Sequence, residues 1–138
     1  MEKVILVVDD SQVVVSMLSD ILETLGYKVS GLLNGHDALQ QINTHKFDMI
    51  ITDLNMPGMD GVEFTREAKK HPNCKFVPIV MLSGEDDQHK ITAAKNVGIS
   101  TFLKKPVKES QLKSILDIVL GSTVLIVKAL IERWRPPE

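Results

Sequence analysis

Asp9-Asp10, Asp53, Ser83 and Lys105 are the residues of this sequence whose types suggest chemistry, and each closes an apolar, strand-like run. Three carboxylates brought within a few ångströms repel one another and raise each other's pKa. They stay ionised together when a cation sits among them. Oxygen-only ligation with few protein ligands suits Mg²⁺, which keeps several waters. A hydroxyl from Ser83 and an ammonium from Lys105 across the same pocket make a site shaped for a phosphoryl group bridged to that metal. Taken singly, each residue has a plainer role. An Asp after a strand usually caps a helix or forms a turn, Ser83 before Gly84 can cap a following helix, and a lysine is usually solvated. What distinguishes the set is convergence, which a fold must supply.

Hydrophobic patterning gives the elements that would position them. Val4-Ile5-Leu6-Val7-Val8 is β-branched and does not alternate, as in a strand covered on both faces. Val14, Leu18, Ile21 and Leu25 then recur at helical spacing, with Ser11 near the N-cap and Gly26 closing the helix. A weaker strand spans Tyr27 to Leu33, and a short helix centres on Ala38, Leu39 and Ile42. Phe47 to Thr52 reads as a third strand ending on Asp53, and the turn from Met56 to Gly61 leads into a helix to about Lys70. Val77 to Leu82 is a fourth strand, followed by a helix from about Asp86 to Val97. A fifth strand, Ser100 to Leu103, ends at Lys104-Lys105-Pro106, and the last regular helix carries Leu112, Ile115, Leu116 and Val119. Strands alternating with helices imply right-handed crossovers and an α/β, doubly wound parallel sheet with helices on both faces. In the flavodoxin-like strand order 2-1-3-4-5 the first and third strands are neighbours. The carboxylates then meet at the carboxyl edge of the sheet, where such folds place their chemistry.

Composition narrows the function. The 138 residues make one domain and little more, and 16 Lys+Arg against 18 Asp+Glu give a net charge of −2. That balance argues against direct nucleic-acid binding by counterion release. The single cysteine, Cys74, excludes an intramolecular disulfide and a multi-cysteine metal site; beside Asn73 and Lys75 it reads as incidental, in a polar loop. His36, His45, His71 and His89 lack metal-ligand spacing and read as surface residues. The N-terminal residues have no signal-peptide pattern, and the apolar stretch Val124 to Ile131 falls far short of a membrane span of about 20 residues. The expectation is a cytoplasmic protein without membrane contact.

From about Lys3 to Leu120 the sequence resembles the receiver domains of two-component response regulators, in particular the chemotaxis-regulator-like ones. The resemblance rests on Val8-Asp9-Asp10, on Asp53-Leu54-Asn55-Met56-Pro57-Gly58-Met59-Asp60-Gly61, on Ser83-Gly84, on Phe102 and on Lys105-Pro106. It implies that Asp53 accepts a phosphoryl group from a histidine kinase or phosphotransfer protein. It also implies that Asp10 and Asp53 ligate Mg²⁺ directly, Asp9 through water and Asn55 through its backbone carbonyl. By the same resemblance Ser83 hydrogen-bonds the phosphoryl group, Lys105 pairs with it, and the Lys105–Pro106 bond is cis. Phe102 matches an aromatic switch position at which Tyr is frequent. The implied function is a signalling phosphoswitch, not an enzyme acting on a separate substrate. Ser83 moves toward the new oxygens, Phe102 turns inward, and the face of the fourth helix, fifth strand and fifth helix changes shape for a partner. Asn55 and Glu85, two residues beyond Asp53 and Ser83, flank the path of an attacking water and are expected to tune self-catalysed dephosphorylation.

Two other classes share the architecture. A haloacid-dehalogenase-type phosphatase needs a second acid two residues after its nucleophile, and here that position is Asn55. A flavin carrier needs a Ser/Thr/Gly-rich phosphate loop after the first strand, where Asp9-Asp10 would repel the phosphate. The receiver is expected over residues 1–120, with a helical extension over 121–138. No effector domain falls within 1–120, so the output is an unnamed protein target or an effector domain outside this sequence. Thr123, Ile126, Val127, Leu130, Ile131 and Trp134 share one broad helical face, while Pro136-Pro137 ends the helix. Gly121-Ser122 either ends one helix and caps another or lies inside one continuous helix. The apolar face must bury itself, by folding back on its own domain or by forming a homodimer through residues 121–138.

Overall fold

The computed structural model describes residues 2–84, 88–121 and 130–137. The chain divides into two compact units, Met1–Val107 and Lys108–Glu138. In the first unit β1 (Val4–Val8), β2 (Lys28–Leu32), β3 (Met49–Asp53), β4 (Ile79–Ser83) and β5 (Thr101–Lys104) alternate with four helices. These are α1 (Gln12–Thr24), α2 (Gly35–Thr44), α3 (Gly61–Lys70) and α4 (Gln88–Asn96). The strands pair in parallel in the order β2-β1-β3-β4-β5, the flavodoxin-like order expected from the sequence.

Burial explains why the central strands were visible as apolar runs. Every residue of β3 and β4, and all of β1 but Val4, is buried, whereas the edge strands β2 and β5 are partly exposed. Side chains alternate across the sheet. Leu6 and Val8 of β1, Ile50 of β3 and Ile79 of β4 join Ala38 and Ile42 of α2 and Phe64 and Ala68 of α3 in one core cluster. α1 buries Val15, Leu18 and Leu22 and lies against β1 and β2. A second cluster joins Leu54, Val62, Met81 and Ala94, with the half-buried Phe102 packed on it. Ser11, Asn34 and Asp60 cap α1, α2 and α3, each side chain accepting from the backbone N–H three residues on. Gly26 follows α1 at a φ of 96°, the left-handed conformation that favours glycine at a helix end.

Several boundaries differ from those expected. β4 begins at Ile79, not Val77, because Pro78 has no N–H to give the ladder and only accepts, from Ile50 N–H at 3.0 Å. Phe47 lies before β3 but is still buried in the core. Cys74 is also corrected: the residue is 2 % exposed and belongs to the core cluster, despite its polar neighbours in sequence. Glu85, Asp86 and Asp87 lie outside the described residues.

In the second unit α5 (Glu109–Leu116) carries the buried Leu112 and Leu116. It then widens into a π-helical turn over Asp117–Gly121, so Val119 is not on a regular α-helix as expected. Residues 130–133 are helical, Trp134 N–H donates to the Leu130 carbonyl, and the helix ends before Pro136-Pro137. Leu130, Ile131 and Trp134 are exposed, whereas Thr123, Ile126, Val127 and the Ser122 junction lie outside the described residues. Among the described residues no helix is long and apolar enough to cross a membrane.

Candidate phosphoacceptor and cation site

The parallel sheet delivers the reactive residues to one edge. Asp9 directly follows β1, Asp53 ends β3, Ser83 ends β4 and Lys105 directly follows β5. Asp9 is wholly buried, Asp53 and Ser83 are 5 % exposed, and Asp10 stands exposed beside them. The backbone fixes each in place. Asp9 N–H donates to the Leu32 carbonyl at 3.1 Å, and Lys105 N–H donates to the Ser83 carbonyl at 2.9 Å. Ser11 N–H donates to Asp9 Oδ1 at 2.9 Å. The Lys105–Pro106 peptide is cis, as the resemblance implied.

Gly61 has a role the sequence reading did not give it. There it belonged to turn chemistry; in the structure it is the first residue of α3, pressed against the end of β3. Gly61 N–H donates to the Leu54 carbonyl at 2.8 Å. A Cβ at Gly61 would collide with the Asp53 carbonyl oxygen and come within 2.9 Å of Leu54 Cα. Only glycine lets α3 start this close to Asp53.

Lys105 Nζ lies 2.9 Å from Asp9 Oδ2 and 3.2 Å from Asp53 Oδ1, so one ammonium is shared by two buried carboxylates. Burial opposes the charge on Lys105, but the contacts with Asp9 and Asp53 outweigh it and hold the ammonium above the ordinary lysine value. Asp53 is pushed above the ordinary carboxylate range, first by burial and then by the charge of Asp9, with Lys105 opposing. A single shared cation does not neutralise this pocket.

Carboxylate oxygens of Asp9, Asp10 and Asp53 all lie within 4.8 Å of one another. Asp9 Oδ2 is buried, and Lys105 Nζ, at 2.9 Å, is its ion-pair partner among the described residues. An all-oxygen donor set with a wholly buried carboxylate and excess negative charge fits a hard divalent cation such as Mg²⁺. Asn55, half-buried two residues beyond Asp53, accepts at Oδ1 from Lys90 Nζ of α4 at 2.8 Å. Lys90 was not singled out in the sequence; on a helix with one buried residue, Ala94, it looks like any solvated lysine. Phe102 sits in β5, packed on the cluster that includes Met81 and Ala94, close in the fold to the end of β4. Glu85 is outside the described residues.

The response regulator receiver domain model matches residues 5–117. The structure superposes on the chemotaxis response regulator CheY4 of Vibrio cholerae with a TM-score of 0.83 and 37% identity, covering 87% of this chain and 100% of that one. It is also similar to the receiver domain of the sensor histidine kinase PA1611 from Pseudomonas aeruginosa PAO1, solved with a magnesium ion in its active-site cleft. There the TM-score is 0.81 and the identity 30%, over 88% of this chain and 99% of that one. The hybrid signal transduction histidine kinase L of Dictyostelium discoideum is 33% identical over 81% of this chain, which spans 7% of that relative's length.

Proposed function

The chain belongs to the response regulator receiver family of two-component signalling, and from that premise we propose that Asp53 is its phosphoacceptor, drawing a phosphoryl group from a histidine kinase or phosphotransfer protein. The observation that carries this reading is the sharing of Lys105 by two buried carboxylates, Asp9 at 2.9 Å and Asp53 at 3.2 Å. An Asp53 carboxylate oxygen attacks phosphorus, and the new O–P bond forms as the donor's N–P bond breaks with its electron pair leaving on nitrogen. Lys105 then pairs with a phosphoryl oxygen, and the Ser83 hydroxyl donates to another. Asp10 and Asp53 would hold Mg²⁺ directly, Asp9 through water, with the Asn55 backbone carbonyl as a further ligand. When bound, the ion neutralises charge on the phosphoryl oxygens and on the carboxylates around them.

Phosphorylation adds nearly two negative charges to a pocket already rich in them. Donors must be drawn in, so Ser83 shifts toward the phosphoryl group and Phe102 turns into the space it leaves. The change passes along α4 and β5 to a protein target. Water later attacks the acyl phosphate, with Asn55 and Glu85 tuning its approach, and the switch resets. In this reading the receiver covers 1–120, the chain acts in the cytoplasm without direct nucleic-acid contact, and residues 121–138 pair it with a second copy.

The test is labelling with Mg²⁺ and a small phosphodonor such as acetyl phosphate. One phosphoryl group per chain is expected in the native protein and none in Asp53→Asn. Undiminished labelling of Asp53→Asn would sink the assignment.

A further inference from the structure

Phe76 is 89 % exposed, yet the backbone that carries it is held firmly. Lys69 Nζ donates to the carbonyls on either side of it, Val77 at 2.6 Å and Lys75 at 3.4 Å. Val77 N–H donates to the Cys74 carbonyl at 3.1 Å, and Cys74 is anchored in the core. Asn73 Nδ2 donates to the Ile42 carbonyl at 3.3 Å, which ties the same loop to the last turn of α2. A partner therefore meets a phenyl ring whose backbone needs no further ordering, and that cost of binding is already met.

The ring does not stand alone. It lines a groove of about 360 Å³ together with Lys46, Phe47, Asp48, Pro72 and Pro78. Single exposed apolar residues are ordinary, whereas an aromatic ring continuous with a recess and rimmed by charge has the make-up of a binding anchor. The charge is mostly positive. Lys46, Lys69, Lys70 and Lys75 stand against Asp48 and Glu67, and Glu67 is taken up by Lys70 at 3.0 Å. Lys75 Nζ lies 5.6 Å from the centroid of the Phe76 ring, a cation–π contact that keeps an ammonium beside the apolar anchor.

We infer that this groove is a docking surface for an acidic peptide segment of a partner protein. One large apolar side chain of the segment packs on Phe76, and its flanking carboxylates meet Lys46 and Lys75 by charge complementarity. Asp48 favours a peptide over the phosphates of a nucleic acid or a lipid headgroup. Its carboxylate repels phosphate and accepts from backbone N–H groups, as it already does from Val4 N–H at 2.8 Å. Asp48 precedes β3 and Asp53 ends it, which at about 3.3 Å per residue sets them about 16 Å apart. A partner held at Phe76 therefore leaves the Asp53 edge open, and the inference stands whether or not Asp53 accepts a phosphoryl group.

The experiment pans a phage-displayed library of short random peptides against the full-length chain. Fluorescence anisotropy then measures the enriched peptides on wild type, Phe76→Ala, Phe76→Trp, Lys46→Glu and Lys75→Glu. Enriched sequences should carry Asp and Glu around one large apolar residue. Phe76→Ala should weaken their binding by about tenfold or more, as truncation of an aromatic anchor does, and Phe76→Trp should retain it. Either Lys→Glu variant should weaken it by about threefold or more, and high salt should weaken the wild-type complex too. Melting temperatures measured alongside separate these effects from loss of fold. A library without enrichment overturns the inference, as do enriched peptides that lack acidic residues or bind Phe76→Ala as tightly as wild type. Phe76-dependent binding of a single-stranded oligonucleotide or of phosphatidylserine vesicles, where the acidic peptides fail, overturns it as well, because the groove would then select phosphate.

Discussion

Replacing Asp53 by Asn should make the metal-free protein more stable and less responsive to Mg²⁺, a combination peculiar to a pocket that holds surplus charge. The carboxylate oxygens of Asp9, Asp10 and Asp53 lie within 4.8 Å of one another. At an effective dielectric constant near 20, two unit charges at that distance repel by about 3.5 kcal/mol. Lys105, 3.2 Å from Asp53, returns about 5 kcal/mol on the same scale. Repulsion from two anions, about 7 kcal/mol, thus exceeds attraction to one cation, about 5 kcal/mol, and burial adds to it: the pKa of Asp53 is raised first by burial and then by the charge of Asp9. A carboxyl with its folded pKa above the unfolded one binds more protons in the folded state. Stability therefore falls as pH rises from the unfolded value through the folded one. Asn carries no charge at any pH, so metal-free Asp53→Asn should melt above wild type at pH 7. The gain should vanish in acid, where Asp53 is neutral too. With Mg²⁺ at ten times its Kd, wild type should recover about 1.4 kcal/mol by mass action, and the variant, which under the proposed ligation loses one carboxylate ligand, much less. Thermal melts with and without Mg²⁺ at several pH values measure all of this. A metal-free Asp53→Asn less stable than wild type at pH 7, or one with an undiminished Mg²⁺ response, would refute the reasoning.

Gly61→Ala should destabilise the protein by about 1–3 kcal/mol, the usual cost of overpacking, because its Cβ meets the backbone of Asp53 and Leu54; urea unfolding gives the stability, and slower labelling of Asp53 would report the displaced strand end. Lys105→Met leaves the wholly buried Asp9 and the 5 % exposed Asp53 without their shared cation. It should cost about 3 kcal/mol in metal-free unfolding, the lower end for breaking a buried pair since Lys105 is 27 % exposed. Cys74 is 2 % exposed and its thiol is pushed up by burial, so iodoacetamide at pH 7 should modify it only as fast as the chain unfolds, which mass spectrometry over time can follow. Light scattering on the full chain and on one ending at Leu120 should show a dimer only for the full chain; monomers for both at high micromolar concentration would remove residues 121–138 as a dimer contact.

The fold was legible where a single physical cause set the pattern. Strands buried on both faces must be apolar throughout, so β1, β3 and β4 stand out as unbroken runs. Helix starts were legible at Ser11, whose hydroxyl accepts from Val14 N–H, because a cap is a local device of one residue. Boundaries went astray where two causes compete at one place. Val77 and Pro78 continue an apolar run, yet proline cannot donate to the ladder, and β4 starts after it. Cys74 has polar neighbours on both sides and is nevertheless in the core, since burial is decided by what packs over a residue in space. The π-helical turn at Asp117–Gly121 left no mark that periodicity could register over so short a stretch.

The site divides along the same line. Asp9, Asp10, Asp53, Ser83 and Lys105 were legible because each sits where a strand ends, and a parallel sheet brings all its strand ends to one edge. Topology alone converts their positions in sequence into proximity, so no side-chain detail was needed to find them. Gly61 and Lys90 carry no such address. Gly61 reads as one more turn glycine until the Asp53 carbonyl is seen where its Cβ would stand. Lys90 reads as a solvated helix lysine until its ammonium is found on Asn55. Both depend on how closely α3 and α4 approach the end of β3, a quantity set by core packing over the whole unit. Residues at strand ends are therefore found by where the backbone must go, whereas contacts such as those of Gly61 and Lys90 are found only after neighbouring elements have been placed.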